Sequence, residues 1–418
     1  MACFKPLVAI REDYKRGKKE YGLKISNGYK ESYILNNSKR IEYKASTKAD
    51  TSVYYPPAQG KNAVRIIGQF DDRYKDSYKI LELEDSFLIP CGKCIGCRLD
   101  YSRHWADRMM LEYEATKKGC FVTLTYADHD LPDVNPENGE KFNLRSDLNE
   151  KGAPISPLIK KHVSEFIKSL RSKFMDNGRK SIRIRFFACG EYGHDAVTGE
   201  GTYRPHYHVI LFGCNLEDLQ LFFGNTIQGD LEPWDVNELG QVSYRSNFLE
   251  DVWKERGIVT VSEVSYNTMA YVARYSLKKA QGDDYATRYN LPQEFTLMSR
   301  RPGIGAPFLE THQKQFEEVR SWFANGKEIR WPGYLLEKYY SSPGDIEVLE
   351  NGVLKHYYKG DPTPKLLEIK KERSQSCLDT FMNSYEKDER PYYEKQEFLK
   401  RQKEFSVKKL RRGDVALN

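Results

Sequence analysis

The run "RPHYHVILFG", Arg204 to Gly213, constrains this chain more than any other stretch. It reads as a buried β-strand, with Val209, Ile210, Leu211 and Phe212 as apolar filler and Gly213 as its end. In a strand, alternate side chains leave one face about 7 Å apart along the chain. His206 and His208 therefore lean onto one point, a geometry that suits a pair of metal ligands. With 8 histidines in 418 residues, an H-x-H also arises without function, and two core histidines fit the same pattern.

The surroundings alternate strands and helices from residue 120 to 280, with at least four strands around one sheet. "CFVTLTY" (120–126) is rich in β-branched residues and reads as a strand. "SIRIRFFACGEYG" is another, with Ile182, Ile184, Phe186 and Ala188 on one face and Arg183, Arg185, Phe187, Cys189 and Glu191 on the other. The spacing predicts a helix from "DYSRHW" to a stop at Gly119. A second runs from an N-cap at Ser156, with Pro157 in first position, to Gly178. Short helices are expected in "NLEDLQLFFGN" and "NFLEDVWKERG", a strand in "IVTVSEV" and a helix in "SYNTMAYVARYSLKK". Three regions follow: 1–118, β-rich with a Cys cluster and a linking helix; a core at 119–285; and a loop-rich, then helical, extension at 286–418.

Composition narrows the function classes. A hydrophobic content of 39% and no long apolar run predict a protein without a membrane span. The charged N-terminus is unlike a secretory signal, so a cytoplasmic protein is expected. Net charge is only +6, but Ile155–Arg185 carries nine Lys/Arg against Glu165 and Asp176. Such a footprint attracts phosphates, and it equally describes a solvated helix face. The 29 tyrosines, interleaved with Lys and Arg, suit base stacking and ordinary packing alike. No G-x-x-x-x-G-K-[ST] loop is present, which argues against a built-in helicase.

Glu191 ends a strand on the face of two arginines. With His206 and His208 it makes a mixed N/O set suited to Mg²⁺ or Mn²⁺; alone it reads as a surface carboxylate. Tyr271 and Tyr275 stand four apart on a helix, so their phenols share a flank with Lys278, beside Arg274. The wheel puts Tyr266, Ala270, Ala273, Leu277 and Ala280 on the packed stripe. Tyrosine is common enough here for such a pair to arise by chance. Taken together, a phenol can attack a phosphodiester covalently while a metal and nearby cations neutralise the phosphate.

Three motifs in order, "FVTLTY" (121–126), "PHYHVILFG" (205–213) and "AYVARYSLKK" (270–279), with "ACGEYG" (188–193) before the histidines, resemble the HUH endonucleases. The likeness is closer to the replication initiators of small single-stranded DNA phages, the gokushovirus-like Microviridae. In relaxases the tyrosines precede the histidines; here they follow. The resemblance covers residues 91 to about 305, including "CGKCIGCR" and "MSRRPGIG", and the flanks poorly. Arg274 stands where that family often has Lys, so Lys278 is the favoured catalytic cation.

The resemblance implies an α+β fold of HUH type, a central antiparallel sheet flanked by helices. It implies a nickase and strand transferase acting at viral origin DNA, single-stranded or supercoiled, in the host bacterial cytoplasm. Tyr271 or Tyr275 would form a 5′-phosphotyrosine link and free a 3′-OH to prime a host polymerase, with a host helicase as motor. The second tyrosine would then cut the regenerated origin, and the displaced strand would close into a circle. A non-catalytic single-strand-binding protein and a water-activating metallohydrolase are the rival readings.

Cys91, Cys94 and Cys97 form C-x2-C-x2-C, a spacing that argues for metal over disulfides inside a cell. A structural Zn²⁺ needs a fourth ligand. The resemblance extends to a cysteine near the N-terminus, which favours Cys3, with His104 as runner-up. An iron–sulfur cluster and unligated thiols are the alternatives. Cys120, Cys189, Cys214 and Cys377 stand alone and read as core. Thr123, Thr125, Arg183, Arg185, Arg300 and Arg301 are the further candidates for DNA contact, the last two equally a plain basic turn.

Overall fold

The computed structural model describes residues 7–12, 30–34, 40–44, 63–69, 86–89, 94–176, 182–193, 201–220, 231–236, 242–278, 284–324, 326–344, 346–350, 353–357, 359–360, 362–386 and 397–404. The chain divides into two compact units: Met1–Arg98 with Pro362–Ser406, and Leu99–Asp361 with Val407–Asn418. The first holds an antiparallel sheet in the order Ala63–Gln69, Leu7–Glu12, Ser86–Ile89, a hairpin of Lys30–Ile34 with Arg40–Lys44, and the helix Pro364–Glu386.

The second unit carries the motifs. Its elements are α1 (Ile95–Thr116), β1 (Gly119–Leu124), α2 (Lys160–Asp176), β2 (Arg185–Tyr192), β3 (Pro205–Phe212) and α3 (Leu216–Gln220). β4 (Leu231–Val236), β5 (Val242–Ser246), α4 (Asn247–Val252), β6 (Val259–Glu263), α5 (Tyr266–Lys278), α6 (Asp284–Arg288) and β7 (Phe295–Met298) follow. The strands form one seven-stranded sheet in the order β7-β2-β3-β1-β6-β5-β4, antiparallel throughout. An α+β fold with a central antiparallel sheet flanked by helices is thus what the sequence forms. The histidine-bearing strand is the middle of that sheet's β2-β3-β1 core, paired on both sides.

Strand alternation sends the two faces of the sheet to different helices. One face presents Val122 and Leu124 of β1, Ala188 and Tyr192 of β2, Tyr207, Val209 and Leu211 of β3, and Val259 and Val261 of β6. It packs on α2, whose Val163, Phe166, Ile167, Leu170 and Phe174 recur every three or four residues and so share one stripe. Each large side chain buried there contributes about 1.5–3 kcal/mol. The other face presents Phe121, Phe187, Ile210 and the polar site residues. There Trp105 of α1 meets Phe187 with ring centroids 5.2 Å apart, and Arg185 pairs with Glu112 of α1.

Several local expectations are revised. α2 starts at Lys160, not after an N-cap at Ser156. The Ser156 hydroxyl donates to the Pro132 carbonyl at 2.7 Å, and the approach to the helix is tied down instead by tyrosines. Tyr192 accepts from the Leu158 N–H at 3.2 Å and Tyr207 from that of Ile159 at 2.8 Å. α1 ends at Thr116, where Lys117 turns the chain with φ 54°, and Gly119 already belongs to β1. In α5 the buried stripe is Thr268, Met269, Val272 and Ala273, while Tyr266 and Ala270 are half-buried. Met269 and Val272 carry more apolar area than the alanines of the expected stripe, and the helix is rolled to bury them. The side chains of Leu277 and Ala280 lie outside the described residues, as does that of Cys377. Cys120 and Cys214 do not stand alone. Their thiols hydrogen-bond to each other in the core, and that contact, with burial, pushes the Cys120 thiol well up.

Candidate active site

Register builds the site. In the antiparallel pairing of β2 with β3, Glu191 lies directly opposite His206, and Cys189 opposite His208. On the other side of β3, Thr123 of β1 lies opposite His208. Directly opposed residues project to the same face, about 4.5–5.5 Å apart at Cβ. The Glu191 carboxylate consequently meets both imidazoles. Its Oε1 stands 2.6 Å from His206 Nε2 and 2.8 Å from His208 Nε2. Glu191 and His208 are buried, at 4% and 6% exposure.

The far ring nitrogens are held as well. His206 Nδ1 lies 3.1 Å from the Arg204 carbonyl oxygen, which can only accept, so Nδ1 carries the hydrogen. His208 Nδ1 lies 3.1 Å from the Thr123 hydroxyl. Arg204 is itself fixed by a bond to the Tyr126 carbonyl at 2.8 Å and by Asp128. The adjoining glycine is needed sterically: a Cβ on Gly193 would stand 3.0 Å from His206 Cε1 and 3.3 Å from its Nδ1.

With Nδ1 protonated, a neutral His206 turns a lone pair toward the Glu191 carboxylate. Two electron-rich atoms at that separation need a positive charge between them, either a proton on Nε2 or a cation. Burial pushes the Glu191 carboxyl up, and the charge and hydrogen bonds of the two imidazoles more than reverse this, holding it well below the usual range. Among the described residues, these three are the group whose ligand atoms converge, all within 4.8 Å of one another. Neighbouring donors of an octahedral Mg²⁺ stand about 3 Å apart, so the cluster fits such an ion with a few tenths of an ångström of opening. The residue types agree, since imidazole and carboxylate with open positions suit Mg²⁺ or Mn²⁺.

Tyr271 of α5 completes the cluster. Its hydroxyl lies 3.4 Å from His208 Nε2 and 3.5 Å from Glu191 Oε1. Phe121 stacks on His208 at 5.4 Å and meets the Tyr271 ring edge-on at 6.4 Å, which fixes the phenol's approach. Such ring pairs are worth about 0.5–1.5 kcal/mol beyond their burial. The Arg274 guanidinium lies 5.6 Å from the Tyr271 ring centroid. Tyr275 and Lys278 follow on α5, and their side chains lie outside the described residues.

The model of the ORF2-type replication-associated protein family matches residues 119–280, the segment that holds this whole cluster. The chain is 31% identical to the replication-associated protein ORF2 of Spiroplasma virus 4 over 244 residues, 58% of this chain and 63% of that protein. It is 30% identical to the replication-associated protein VP4 of Bdellovibrio phage phiMH2K over 267 residues, 63% of this chain and 71% of that protein. The chain belongs to the phage replication-associated protein family. It spans just under two thirds of the first of these replication-associated proteins and somewhat more of the second. No solved structure matches it.

Other candidates of this replication-associated protein fall elsewhere. Thr123 holds His208, and the Thr125 hydroxyl donates to the Ile258 carbonyl at 2.7 Å. Arg185 is engaged inside the protein, on Glu112 and on the carbonyls of Pro302 and Gly303. Arg183, Arg300 and Arg301 are exposed. Much of the basic footprint serves internal contacts: Arg171 donates to the Ile184 carbonyl, and Lys160, Lys161 and Lys173 lie beside Glu137, Glu165 and Asp251. Cys3 and Cys91 lie outside the described residues; Cys94 Sγ accepts from the Cys97 N–H at 3.5 Å. Burial and nearby Arg108 lower His104 to about 4. The Arg204 carbonyl and Gly193 had no signal as single residues. Each is read only once the register is known.

Proposed function

We propose that this chain initiates phage DNA replication by nicking origin DNA through Tyr271. The observation that carries the reading is the Tyr271 hydroxyl held 3.4–3.5 Å from His208 Nε2 and Glu191 Oε1, beside a fixed carboxylate–imidazole cluster. Glu191, His206 and His208 would hold Mg²⁺ or Mn²⁺, whose charge polarises the non-bridging oxygens of the phosphate. The chain's own part is to place the phenol and the cations. Tyr271 oxygen forms a bond to phosphorus as the bond to the 3′ oxygen breaks. The phenol gives up its proton and the departing 3′ oxygen takes one up, which leaves a 5′-phosphotyrosine link and a free 3′-OH. Arg274, with Lys278 on the same helix, stabilises the charge on the phosphate oxygens. Tyr275, one turn on, supplies the nucleophile for the second cut, after which the displaced strand closes into a circle. Host polymerase and helicase supply synthesis and unwinding in the host cell.

A gel decides between this and the rivals. Incubated with origin DNA and Mg²⁺ or Mn²⁺, the protein should form an adduct that survives denaturant. The adduct should vanish in His206→Ala and in the Tyr271→Phe/Tyr275→Phe double variant. Cleavage without any adduct would mean water activation, and binding without cleavage a non-catalytic role.

A further inference from the structure

The segment "SRRPGIG", Ser299–Gly305, leaves the edge strand β7 and is fastened to the protein almost atom by atom. The Ser299 N–H donates to the Phe186 carbonyl at 2.9 Å, and the Ser299 hydroxyl accepts from the Phe186 N–H at 3.1 Å. Arg185 donates to the carbonyls of Pro302 at 2.8 Å and Gly303 at 3.2 Å. The Gly303 N–H donates to the Tyr334 hydroxyl at 2.9 Å. Arg108 Nε donates to the Ile304 carbonyl at 3.0 Å, and the Gly305 N–H to Glu112 Oε2 at 2.6 Å. The path admits no side chain at Gly303, where a Cβ would come within 2.6 Å of the Tyr334 oxygen.

Such a scaffold is costly. Arg108 and Glu112 are buried at 8% and 2% exposure, and desolvating charges is offset only when every donor and acceptor is used. What the scaffold holds out is Arg300 and Arg301, both exposed, neither making a hydrogen bond or ion pair among the described residues. The local balance is positive: Arg108, Arg183, Arg185, Arg300 and Arg301 against Glu112. Arg185 projects from β2 on the same sheet face as Glu191, six residues away, so the loop stands about 20 Å along that face from the site.

We infer that Ser299–Gly305 is a preformed clamp through which Arg300 and Arg301 grip the phosphodiester backbone of the DNA strand bound at the Tyr271 site. The identity of the polymer rests on the proposed function; the clamp does not depend on the chemistry. A fixed loop has already lost the conformational freedom that binding would otherwise remove, so its guanidiniums engage at lower entropic cost. Contacts to phosphate position the strand and carry no sequence information.

The test reads binding without cleavage. The full chain is titrated with a fluorescent 30-nucleotide oligothymidylate in EDTA, across KCl from 50 to 300 mM. Each phosphate contact on a single strand contributes a slope of about −0.7 in log K against log salt. The Arg300→Gln/Arg301→Gln variant should lose about 1.4 of the wild-type slope and bind more weakly at every salt concentration. Lys314→Gln/Lys338→Gln removes the same charge from exposed positions away from the loop and should leave the slope in place. An unchanged slope in the arginine variant, or an equal drop in both, overturns the clamp. Because no adduct is scored, these outcomes stand apart from the tyrosine reading, which fails only if Tyr271→Phe/Tyr275→Phe still forms one. Both pairs are exposed, so thermal melting should match the wild type and folding is not at issue.

Discussion

Thr123 shows how a small side chain can govern a site. It faces His208 across the β1–β3 pairing, and its hydroxyl at 3.1 Å from Nδ1 orients the ring that Phe121 stacks upon. Partners that orient a metal-ligating histidine are worth roughly 10–100-fold in metal affinity. Thr123→Val keeps the shape and removes the hydroxyl. It should raise the Mn²⁺ concentration for half-maximal adduct by that factor, with Thr123→Ser restoring it; equal Mn²⁺ requirements in all three would deny the tie a role. Histidines away from the site set the acid limit of the fold. Burial and neighbouring Arg256 lower His162, whose Nδ1 sits 2.7 Å from the Tyr126 hydroxyl, to about 4, and burial lowers His104 similarly. Unfolded chain takes up protons on both near pH 6.5 and the folded chain only near pH 4. Stability from these residues is thus complete above pH 6.5 and lost progressively toward pH 4. The Tm should fall between about pH 7 and 5, and less steeply in a His104→Gln/His162→Gln variant.

At the scale of elements, tyrosine hydroxyls do the work expected of a helix cap. Tyr207 OH receives the Ile159 N–H and also contacts Tyr126 OH at 2.9 Å. Tyr207→Phe leaves both without that oxygen in the core, a loss of about 1–3 kcal/mol. Urea unfolding should show it, while Thr125→Val, at a partly solvated hydroxyl, should cost less. No local pattern at Ser156 could reveal this, because the partners come from strands 36 and 51 residues away (Tyr192, Tyr207). The same contrast runs through the sheet. β1, β2, β3 and β6 were legible because they alternate or are β-branched and their apolar residues are buried. β4, β5 and β7 were not. "LEPWDV" carries Pro233 and two acids and is mostly exposed, as an edge strand tolerates. "VSYRS" and "FTLM" are too short for periodicity to speak. Glu191, His206, His208 and Tyr271 were legible as residue types in order. That Thr123 and the Arg204 carbonyl hold the rings was not, since register joins residues far apart in sequence.

For the molecule as a whole, the site ties together elements that are distant in the chain: Glu191 on β2, His206 and His208 on β3, Thr123 on β1 and Tyr271 on α5. Unfolding scatters these ligands, so a cation that binds them binds the folded state alone and stabilises it by RT ln(1 + [L]/Kd), about 2.7 kcal/mol at a hundredfold excess over Kd. The chain has two compact units, and the cluster lies within Leu99–Asp361. Calorimetry in Mn²⁺ should therefore raise the transition of that unit by about 5–10 °C. Glu191→Ala and His206→Ala should abolish the rise, and chelator should return the wild type to its starting Tm. A rise that persists in both variants would place the ion on other residues. The Tyr271→Phe chain gives the sharper contrast, because it keeps all three ligands: it should show the full rise in Tm and no adduct, separating the cation's hold on the fold from the phenol's part in the chemistry.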